Sequence, residues 1–315
     1  MTPHVTVLMP VRDGAAHVAQ AVRSILGQSW RDLELLVVDD GSRDATPRIL
    51  SELAAADSRM RVLPGPARGI APALNRGLSE ARGSVLARMD ADDVAHPDRL
   101  ARQVAALDAA PEVVVVGSAW RVIGPDGAPR RTVHPPTDPG AIRAALATHN
   151  PIAHPAATMR LDAVRTLGGY RPAFLLAEDF DLWLRLSERH ALMNLPDALL
   201  DYREHAAQSA WKSIEQRATS EMAALAAAAL RRSGLPDGAD GPEPADRAML
   251  HRLGLDDAAI EAGLLGRALG AAKDALAAGQ GAAARTFIGY ALTRPGLRPR
   301  TRVHLWLLRL RAALG

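Results

Sequence analysis

Short apolar runs alternate with amphipathic stretches in the first half of this chain, and this alternation constrains the fold most strongly. The sequence predicts strands over 5–9, 33–38, 61–63, 84–89 and 113–116, with helices over about 15–28, from 46, 71–81 and 98–109. Apolar strands separated by helices are typical of a parallel sheet covered on both faces. We therefore expect an α/β fold whose ligands bind beyond the carboxyl ends of the strands.

The chain changes character after residue 124, where Pro and Gly become frequent and indicate a loop-rich excursion to about residue 155. Beyond this point the patterns predict a short helix at 141–147, a strand at 156–160, a helix at 179–190 and two closing strands at 192–195 and 198–202. From Ile214 the sequence is Ala-rich helix with a Gly- and Pro-rich break near 234–244. We predict a domain over 1–210 and a helical extension over 211–315.

Composition excludes several classes of protein. The 315 residues carry a net charge of only +3. This small excess of positive charge gives no support for binding to nucleic acid. The absence of cysteine excludes disulfides and thiolate metal sites. No apolar run approaches the roughly 20 residues that span a bilayer, and residues 1–9 do not resemble a signal peptide. We expect a protein that is cytoplasmic, or peripheral on the inner face of the cell membrane.

The pair Asp90 and Asp92 follows the fourth predicted strand. In extended backbone residues i and i+2 point the same way, so both carboxylates can reach one ion while Asp93 faces elsewhere. Oxygen ligands of this kind suit Mg²⁺ or Mn²⁺. The alternative is an Asp-rich turn that, with Asp98, caps the following helix.

Two further acidic pairs are candidates for chemistry. Asp39 and Asp40 end the second strand, where a carboxylate can accept from ribose hydroxyls or a base N–H, or can simply cap a turn. Glu178 and Asp179 begin a helix, where acids suit the helix dipole, but a carboxylate there could also act as a general base. The first strand is not followed by a G-x-G-x-x-G sequence, which disfavours a dinucleotide-dependent oxidoreductase.

Taken together, the motifs resemble the family 2 glycosyltransferases, which are inverting enzymes of GT-A fold with nucleotide-sugar donors. The matching segments are VLMPV (7–11), SILGQS (24–29), VVDDGS (37–42), NRG (75–77), RMDADD (88–93), GGY (168–170), AEDFDLW (177–183) and YREH (202–205). The resemblance covers roughly residues 5–210. Arg12 stands where the family often has an aromatic residue.

The resemblance implies a nucleotide-sugar site formed by Pro10, Val11, Asp39, Asp40, Arg68, Asn75, Asp90 and Arg203. The first four would bind the nucleoside, while Arg68 and Asn75 would lie along the ribose and diphosphate. Arg203 would contact phosphate, or alternatively pair with Asp201 or Glu204.

The resemblance also implies a metal site for Mn²⁺ or Mg²⁺. Asp92 would ligate the ion, and Asp90 would share it or hold the ribose. His205 would be a third ligand or a diphosphate contact, unless it is a solvated loop residue. Asp179 would be the catalytic base, and Glu178 would position a sugar.

Two features outside these motifs admit two interpretations each. His154 either lines the acceptor cleft or is a buried, hydrogen-bonded histidine. Arg298, Arg300, Arg302, Arg309 and Arg311 surround an apolar segment that contains Trp306. This basic helix either docks on anionic lipid or belongs to a helical appendage that packs on the catalytic domain or on a second subunit.

The sequence therefore predicts a metal-dependent glycosyltransferase that moves a sugar from a nucleotide-diphosphate donor to a hydroxyl of a cell-surface glycan or lipid-linked glycan. A non-catalytic nucleotide-sugar-binding protein is the alternative, disfavoured by the presence of both Asp92 and Asp179. A glycosidase would need two acids but no nucleotide site.

Overall fold

The computed structural model describes residues 4–204, 211–295, 297, 302, 305, 306, 308 and 309, without the side chains of residues 211 and 212. These residues form two compact units. The first contains the described residues up to Arg171 together with Leu182–Glu204, and the second contains Pro172–Asp181 and the described residues after Glu204. The division into a domain over 1–210 and a helical extension over 211–315 stays a prediction.

The amino-terminal part of the first unit alternates strands and helices as the sequence predicts. Its strands are β1 (Val5–Val11), β2 (Leu33–Asp39), β3 (Met60–Pro64) and β4 (Val85–Arg88). Its helices are α1 (Val18–Leu26), α2 (Thr46–Ala56), α3 (Ile70–Glu80) and α4 (Arg99–Ala109). The four strands are parallel in the order β3-β2-β1-β4. Their carboxyl ends therefore meet at one edge of the sheet.

The remaining strands of the first unit are β5 (Val94–Ala95), β6 (Val113–Ile123), β7 (Pro129–Val133), β8 (Thr158–Arg160) and β9 (Ala191–Arg203). Across the described residues the order is β3-β2-β1-β4-β8-β6-β9-β5, with β7 paired to β6. Strand β8 runs antiparallel to both β4 and β6, so β6 and its parallel neighbour β9 share the direction of β1–β4. The predicted mostly parallel sheet is confirmed.

Two strand predictions after residue 124 were wrong. The two expected closing strands are one strand, β9, whose register against β6 shifts between the pairs Ser118–Leu195 and Ala119–Ala198. This bulge accommodates Pro196, which looks like a strand end in the sequence. The expected loop also contains β7, which is largely exposed and so lacks the apolar alternation that announces a strand.

Helix α3 packs closely on the sheet because it contains a glycine at the contact. A Cβ atom added to Gly77 would lie 2.1 Å from Cδ1 of Leu8 on β1. Leu8 is buried, as are Ala73, Leu74 and Leu78 on the same face of the helix. This spacing is that of an amphipathic helix on a sheet.

Three short helices complete the part of the chain before the extension: α5 (Pro139–Leu146), α6 (Leu161–Thr166) and α7 (Glu178–Ser187). The first turn of α7, through Asp181, groups with the second unit. The second unit also contains α8 (Trp211–Arg232), α9 (Arg247–Arg252), α10 (Asp257–Ala277) and α11 (Gly281–Leu292). The predicted helical character of this region is confirmed.

Apolar side chains from α8, α10 and α11 hold the second unit together. Ile214, Ala268, Ala272, Ile288 and Tyr290 form one buried cluster. Among the residues described, none of the helices combines the length and the apolar character needed to cross a bilayer.

Candidate active site

The acidic residues after β4 form a compact cluster at the carboxyl edge of the sheet. Asp90, Asp92 and Asp93 each offer a carboxylate oxygen, and these oxygens lie within 4.8 Å of one another. The expectation that Asp93 faces elsewhere was wrong. Strand β4 ends at Arg88 and the chain turns at Ala91 and Asp92, so the two-residue periodicity of extended backbone does not apply.

We call this cluster of Asp90, Asp92 and Asp93 the acidic turn. Asp93 is its most buried member, at 1% exposure. Its Oδ1 accepts from the backbone N–H of Arg203 at 2.8 Å, while its buried Oδ2 has no hydrogen-bond partner among the described residues. Burial, together with the charges of Asp90 and Asp92, raises the pKa of Asp93 well above its ordinary value. An unpartnered carboxylate oxygen beside two others fits a DXD-type site for a hard divalent cation.

Arg88 and Arg99 lie in the protein interior directly behind the acidic turn. Arg88 forms an ion pair of 2.5 Å with Oδ1 of Asp90. Burial by itself would lower the pKa of Arg88, but the charge and the hydrogen bond of Asp90, together with the charges of Tyr170 and Asp93, raise it above its ordinary value. Burial lowers the pKa of Arg99 to about 9, which leaves the guanidinium protonated at neutral pH. Nη2 of Arg99 donates to the carbonyl oxygen of Arg88 at 2.8 Å and thereby holds the end of β4.

A buried glutamine extends this polar network on α4. The side chain of Gln103 accepts from Arg99 and Thr158, and it donates to the carbonyl oxygens of Val116 and Ala156. Sequence reasoning missed both buried polar residues of α4, Arg99 and Gln103. The signal was an arginine and a glutamine four positions apart on the face that also carries the buried leucines of the helix.

The alternative interpretation, in which the acidic turn and Asp98 cap α4, is not what the structure shows. Asp98 occupies the N-cap position, but its side chain makes no capping hydrogen bond.

The side chain of Arg203 is buried rather than presented to a ligand, with 3% of the residue exposed. Its guanidinium donates to the carbonyl oxygen of Asp92 and to three further oxygens. Of the two alternative partners, Asp201 pairs with Arg121, and Glu204 pairs with arginines of β7. His205 lies outside the described residues.

Asp39 and Asp40 organise the backbone at the end of β2. Oδ1 of Asp39 accepts from the N–H of Ser42 at 2.9 Å, as in the predicted turn. Asp40 is 4% exposed, and its Oδ2 accepts from the N–H of Gly69 at 2.8 Å. Asp40 therefore holds the loop before α3. The contact of these residues with a nucleoside stays a prediction.

The loops that follow β1 and β2 are tied to each other, which the sequence did not reveal. The N–H of Asp13 donates to Oγ of Ser42 at 2.9 Å, and Oδ1 of Asp13 accepts from the N–H of Arg43 at 2.7 Å. The N–H of Gly14 donates to Oγ1 of Thr46. Asp13 has a φ of 53°, a left-handed conformation that is uncommon outside glycine. Pro10 and Val11 therefore lead into a loop that hydrogen bonds connect to the loop after β2.

The side-chain amide of Asn75 forms two hydrogen bonds with the backbone of Tyr170. Its Nδ2 donates to the carbonyl oxygen at 2.7 Å, and its Oδ1 accepts from the N–H at 2.9 Å. Asn75 therefore fastens α3 to the segment GGY. Arg68, by contrast, is exposed at the edge of the loop that Asp40 holds. The predicted contacts of both residues with ribose and diphosphate stay predictions.

His154 is a buried histidine with a hydrogen-bond partner, which agrees with one of its two interpretations. Its Nε2 lies 2.9 Å from the hydroxyl of Tyr170, and its ring makes an edge contact with Trp183. Burial, assisted by the charge of Arg88, lowers the pKa of His154 well below its ordinary value. The imidazole is therefore neutral at physiological pH.

Glu178 and Asp179 lie in the first turn of α7, within the second unit. Glu178 is 5% exposed, and Oδ1 of Asp179 accepts from the N–H of Phe180 at 2.8 Å. The turn before them is strained, because Leu176 has a φ of 68°. The catalytic roles of both acids stay predictions.

The basic C-terminal segment is described only in part. Trp306 is 52% exposed, and the guanidinium carbon of Arg309 lies 5.6 Å from the centre of its ring. Arg298, Arg300 and Arg311 lie outside the described residues.

Comparison with known proteins places this site in context. The family described as Glycosyl transferase family 2 matches residues 6–168. EpsE of Bacillus subtilis is 35% identical over 240 residues, covering 74% of this chain and 84% of EpsE. The O-antigen biosynthesis glycosyltransferase WbnJ of Escherichia coli is 29% identical over 205 residues, covering 64% of this chain and 80% of WbnJ.

A solved structure resembles the whole chain. The mannosyltransferase PcManGT from Pyrobaculum calidifontis, in complex with GDP-Man and Mn²⁺, is 25% identical with a TM-score of 0.56. The match covers 100% of this chain and 87% of PcManGT. The predicted GT-A fold is confirmed.

Proposed function

This chain belongs to glycosyl transferase family 2, and from that membership we propose that it is a metal-dependent, inverting enzyme of cell-envelope glycan synthesis. It moves one sugar from a nucleotide-diphosphate donor to a hydroxyl of a cell-surface glycan or lipid-linked glycan. The observation that carries the proposal is the acidic turn, where Asp90, Asp92 and Asp93 converge at the carboxyl edge of the sheet. Similarity to WbnJ, which is named for O-antigen biosynthesis, supports the class of acceptor.

In this proposal the acidic turn holds Mn²⁺ or Mg²⁺. Asp92 and Asp90 are the ligands expected from the sequence, and the position of Asp93 adds a third carboxylate. His205 remains a proposed further ligand. Such an ion would neutralise the charge that develops on the nucleoside diphosphate as the anomeric bond breaks. The Mn²⁺ in the PcManGT complex supports this choice.

The loops at the ends of β1 and β2 would bind the nucleoside. Asp39 and Asp40 are the acceptors for ribose hydroxyls or base N–H groups, and Pro10 and Val11 form the adjoining surface. The hydrogen bonds between the two loops support this role, since they fix the binding groups before a ligand arrives. Arg68 is exposed beside Asp40 and would supply positive charge for the diphosphate.

Asp179 would act as the general base. A sugar hydroxyl is a poor nucleophile, and a carboxylate that accepts its proton during attack lowers the barrier. Glu178 would position the acceptor or the donor sugar. The presence of both Asp92 and Asp179 in the sequence favours the proposal over the alternative of a non-catalytic nucleotide-sugar-binding protein.

A donor screen tests the proposal directly. The thermal midpoint of the protein is measured with each common nucleoside-diphosphate sugar, with and without Mn²⁺. One donor should raise the midpoint in a Mn²⁺-dependent manner, because a ligand that binds only the folded state stabilises it by mass action. Stabilisation by no donor under either condition would refute the proposal.

Two variants separate binding from transfer. Asp92→Ala should abolish the Mn²⁺-dependent part of donor binding. Asp179→Asn should keep donor and metal binding but slow transfer by about 10²–10⁴-fold, which is the usual contribution of a general base. Parent-like transfer by Asp179→Asn would show that the base is another residue, while binding without any transfer in the parent would favour the alternative function.

The proposed location is the cytoplasm or the inner face of the cell membrane, with membrane contact through the basic C-terminal segment around Trp306. Exposed Trp and basic residues favour contact with anionic lipid. Co-sedimentation with vesicles should occur with anionic lipid and not with phosphatidylcholine alone. Equal binding to both kinds of vesicle, or to neither, would contradict an electrostatic contact.

A further inference from the structure

Arg203, the last residue of β9, connects three separate segments of the first unit through its side chain. Nε donates to the carbonyl oxygen of Asp92 at 2.8 Å. Nη1 donates to the carbonyl oxygens of Gly124 and Pro125, both at 3.1 Å, and Nη2 donates to Oε1 of Gln20 at 3.1 Å. One guanidinium therefore joins the acidic turn to the β6–β7 loop and to α1.

The connection to the acidic turn is reciprocal. The side chain of Arg203 donates to the backbone of Asp92, while the backbone N–H of Arg203 donates to Oδ1 of Asp93 at 2.8 Å. The next residue of the turn region, Val94, begins β5 and pairs with Asp201 of β9. The backbone of the acidic turn at Asp92 and the carboxylate of Asp93 are therefore held to the end of β9.

This geometry is unfavourable for a contact between Arg203 and a donor phosphate. A guanidinium has five N–H donors, and four of those of Arg203 are already used within the protein. The residue is 3% exposed. If the guanidinium turned toward a phosphate it would give up these bonds, and leaving the buried carbonyl oxygen of Gly124 without a donor would cost about 1–3 kcal/mol.

We propose that Arg203 is a positioning residue that holds the carboxylates of Asp92 and Asp93 in the orientation needed to bind a divalent cation. The proposal rests on the proposed function, since it takes the acidic turn to be the metal site. It replaces the phosphate contact that the sequence predicts for Arg203. Because the guanidinium donates to carbonyl oxygens rather than to the carboxylates, its contribution is orientation rather than neutralisation of charge.

Mn²⁺ affinity measured without donor tests this role. The dissociation constant is obtained from the electron paramagnetic resonance signal of free Mn²⁺ during titration of the full chain. Arg203→Met should weaken Mn²⁺ binding by about 10–100-fold, as is usual when a residue that orients metal ligands is lost. Arg203→Lys should weaken it similarly, because an ammonium keeps the charge but cannot reach four separated oxygens.

Arg121→Met is the matched control. Arg121 also anchors β9, through two hydrogen bonds of 2.7 Å to Asp201, but its side chain is 48% exposed. Its loss should leave the Mn²⁺ dissociation constant within twofold of the parent. If Arg203→Met cannot be obtained folded, Gln20→Ala removes one acceptor of the guanidinium and should weaken Mn²⁺ binding severalfold.

The outcomes distinguish this inference from the proposed function. A parent protein that binds no Mn²⁺ refutes the metal site and the inference together. A parent that binds Mn²⁺ while Arg203→Met, or Gln20→Ala in its place, binds it equally well refutes only the positioning role. Retained affinity in Arg203→Lys with lost affinity in Arg203→Met would show that charge, and not orientation, is what Arg203 supplies.

Discussion

Replacing Asp93 by asparagine should stabilise the metal-free protein and weaken its response to Mn²⁺. Asp93 is buried, and its Oδ2 lacks a hydrogen-bond partner among the described residues. The variant keeps Oδ1, which accepts from the N–H of Arg203. The new amide nitrogen would carry no charge beside Asp90 and Asp92, whose oxygens lie within 4.8 Å of an oxygen of Asp93.

The size of the effect follows from the group that is removed. Leaving a buried polar atom without a partner costs about 1–3 kcal/mol, so removing it should raise the free energy of unfolding by about that amount. For a unit of this size each kcal/mol corresponds to about 2–4 °C in the thermal midpoint. The metal-free variant should therefore melt measurably above the parent at pH 8.

The pH dependence of this difference has a definite sign. Burial and the two neighbouring carboxylates raise the pKa of Asp93 in the folded state. A carboxyl group with a raised folded pKa contributes stability below its unfolded pKa of about 3.9, and that stability is lost as pH rises through the folded pKa. The advantage of Asp93→Asn over the parent should therefore be small near pH 4 and largest at pH 8.

Urea denaturation with EDTA across this pH range, followed by repetition with saturating Mn²⁺, measures both effects. Mn²⁺ should stabilise the parent by about 2.7 kcal/mol at a hundredfold excess over its dissociation constant, and the variant by less. The difference in stability should thus shrink or reverse when Mn²⁺ is added. A metal-free variant that is equal to or less stable than the parent at pH 8 would refute the reasoning.

Three further predictions concern single positions. Gly65→Ala should weaken nucleoside-diphosphate binding in calorimetry, because the added Cβ would lie 2.9 Å from Oδ1 of Asp40; unchanged affinity would argue against Asp40 in the donor site. Gly77→Ala, which brings a Cβ to 2.1 Å from Leu8, should cost about 1–3 kcal/mol in urea unfolding without changing donor affinity, and so serves as its control. His154 should stay neutral in NMR titration from pH 8 to 6, because burial lowers its pKa, and a protonated ring at pH 6 would contradict its environment.

Local sequence patterns were sufficient to predict the first half of the fold. The strands β1–β4 and helices α1–α4 lie where apolar runs and helical spacing indicated them. The acidic residues Asp39 and Asp90 lie at the carboxyl edge because β1, β2 and β4 are parallel. Periodicity encodes these elements directly, since each buries its own apolar face.

Other elements depend on contacts that local patterns do not contain. The exposed strand β7 forms because it pairs with β6. Strand β9 continues through Pro196 because its pairing with β6 contains a bulge at that point. Strand β8 inverts the local direction of the sheet between β4 and β6. Such pairings are selected by the partner strand, and a single segment carries little sign of them.

The sequence alone determined the chemical inventory of this protein: a GT-A sheet, acidic motifs at strand ends and an Ala-rich helical extension. Only the tertiary structure decided which of these groups lie together in the first unit. It brought Asp93 beside Asp90 and Asp92, and it buried Arg203, 110 residues further along the chain, against the same turn. The physical reason is that identity and spacing fix which groups can bind or donate, whereas burial and partners depend on segments far apart in sequence. A residue's role follows from both, which is why the buried partners of Arg203 lead us to propose a positioning role beside the phosphate contact that its motif predicts.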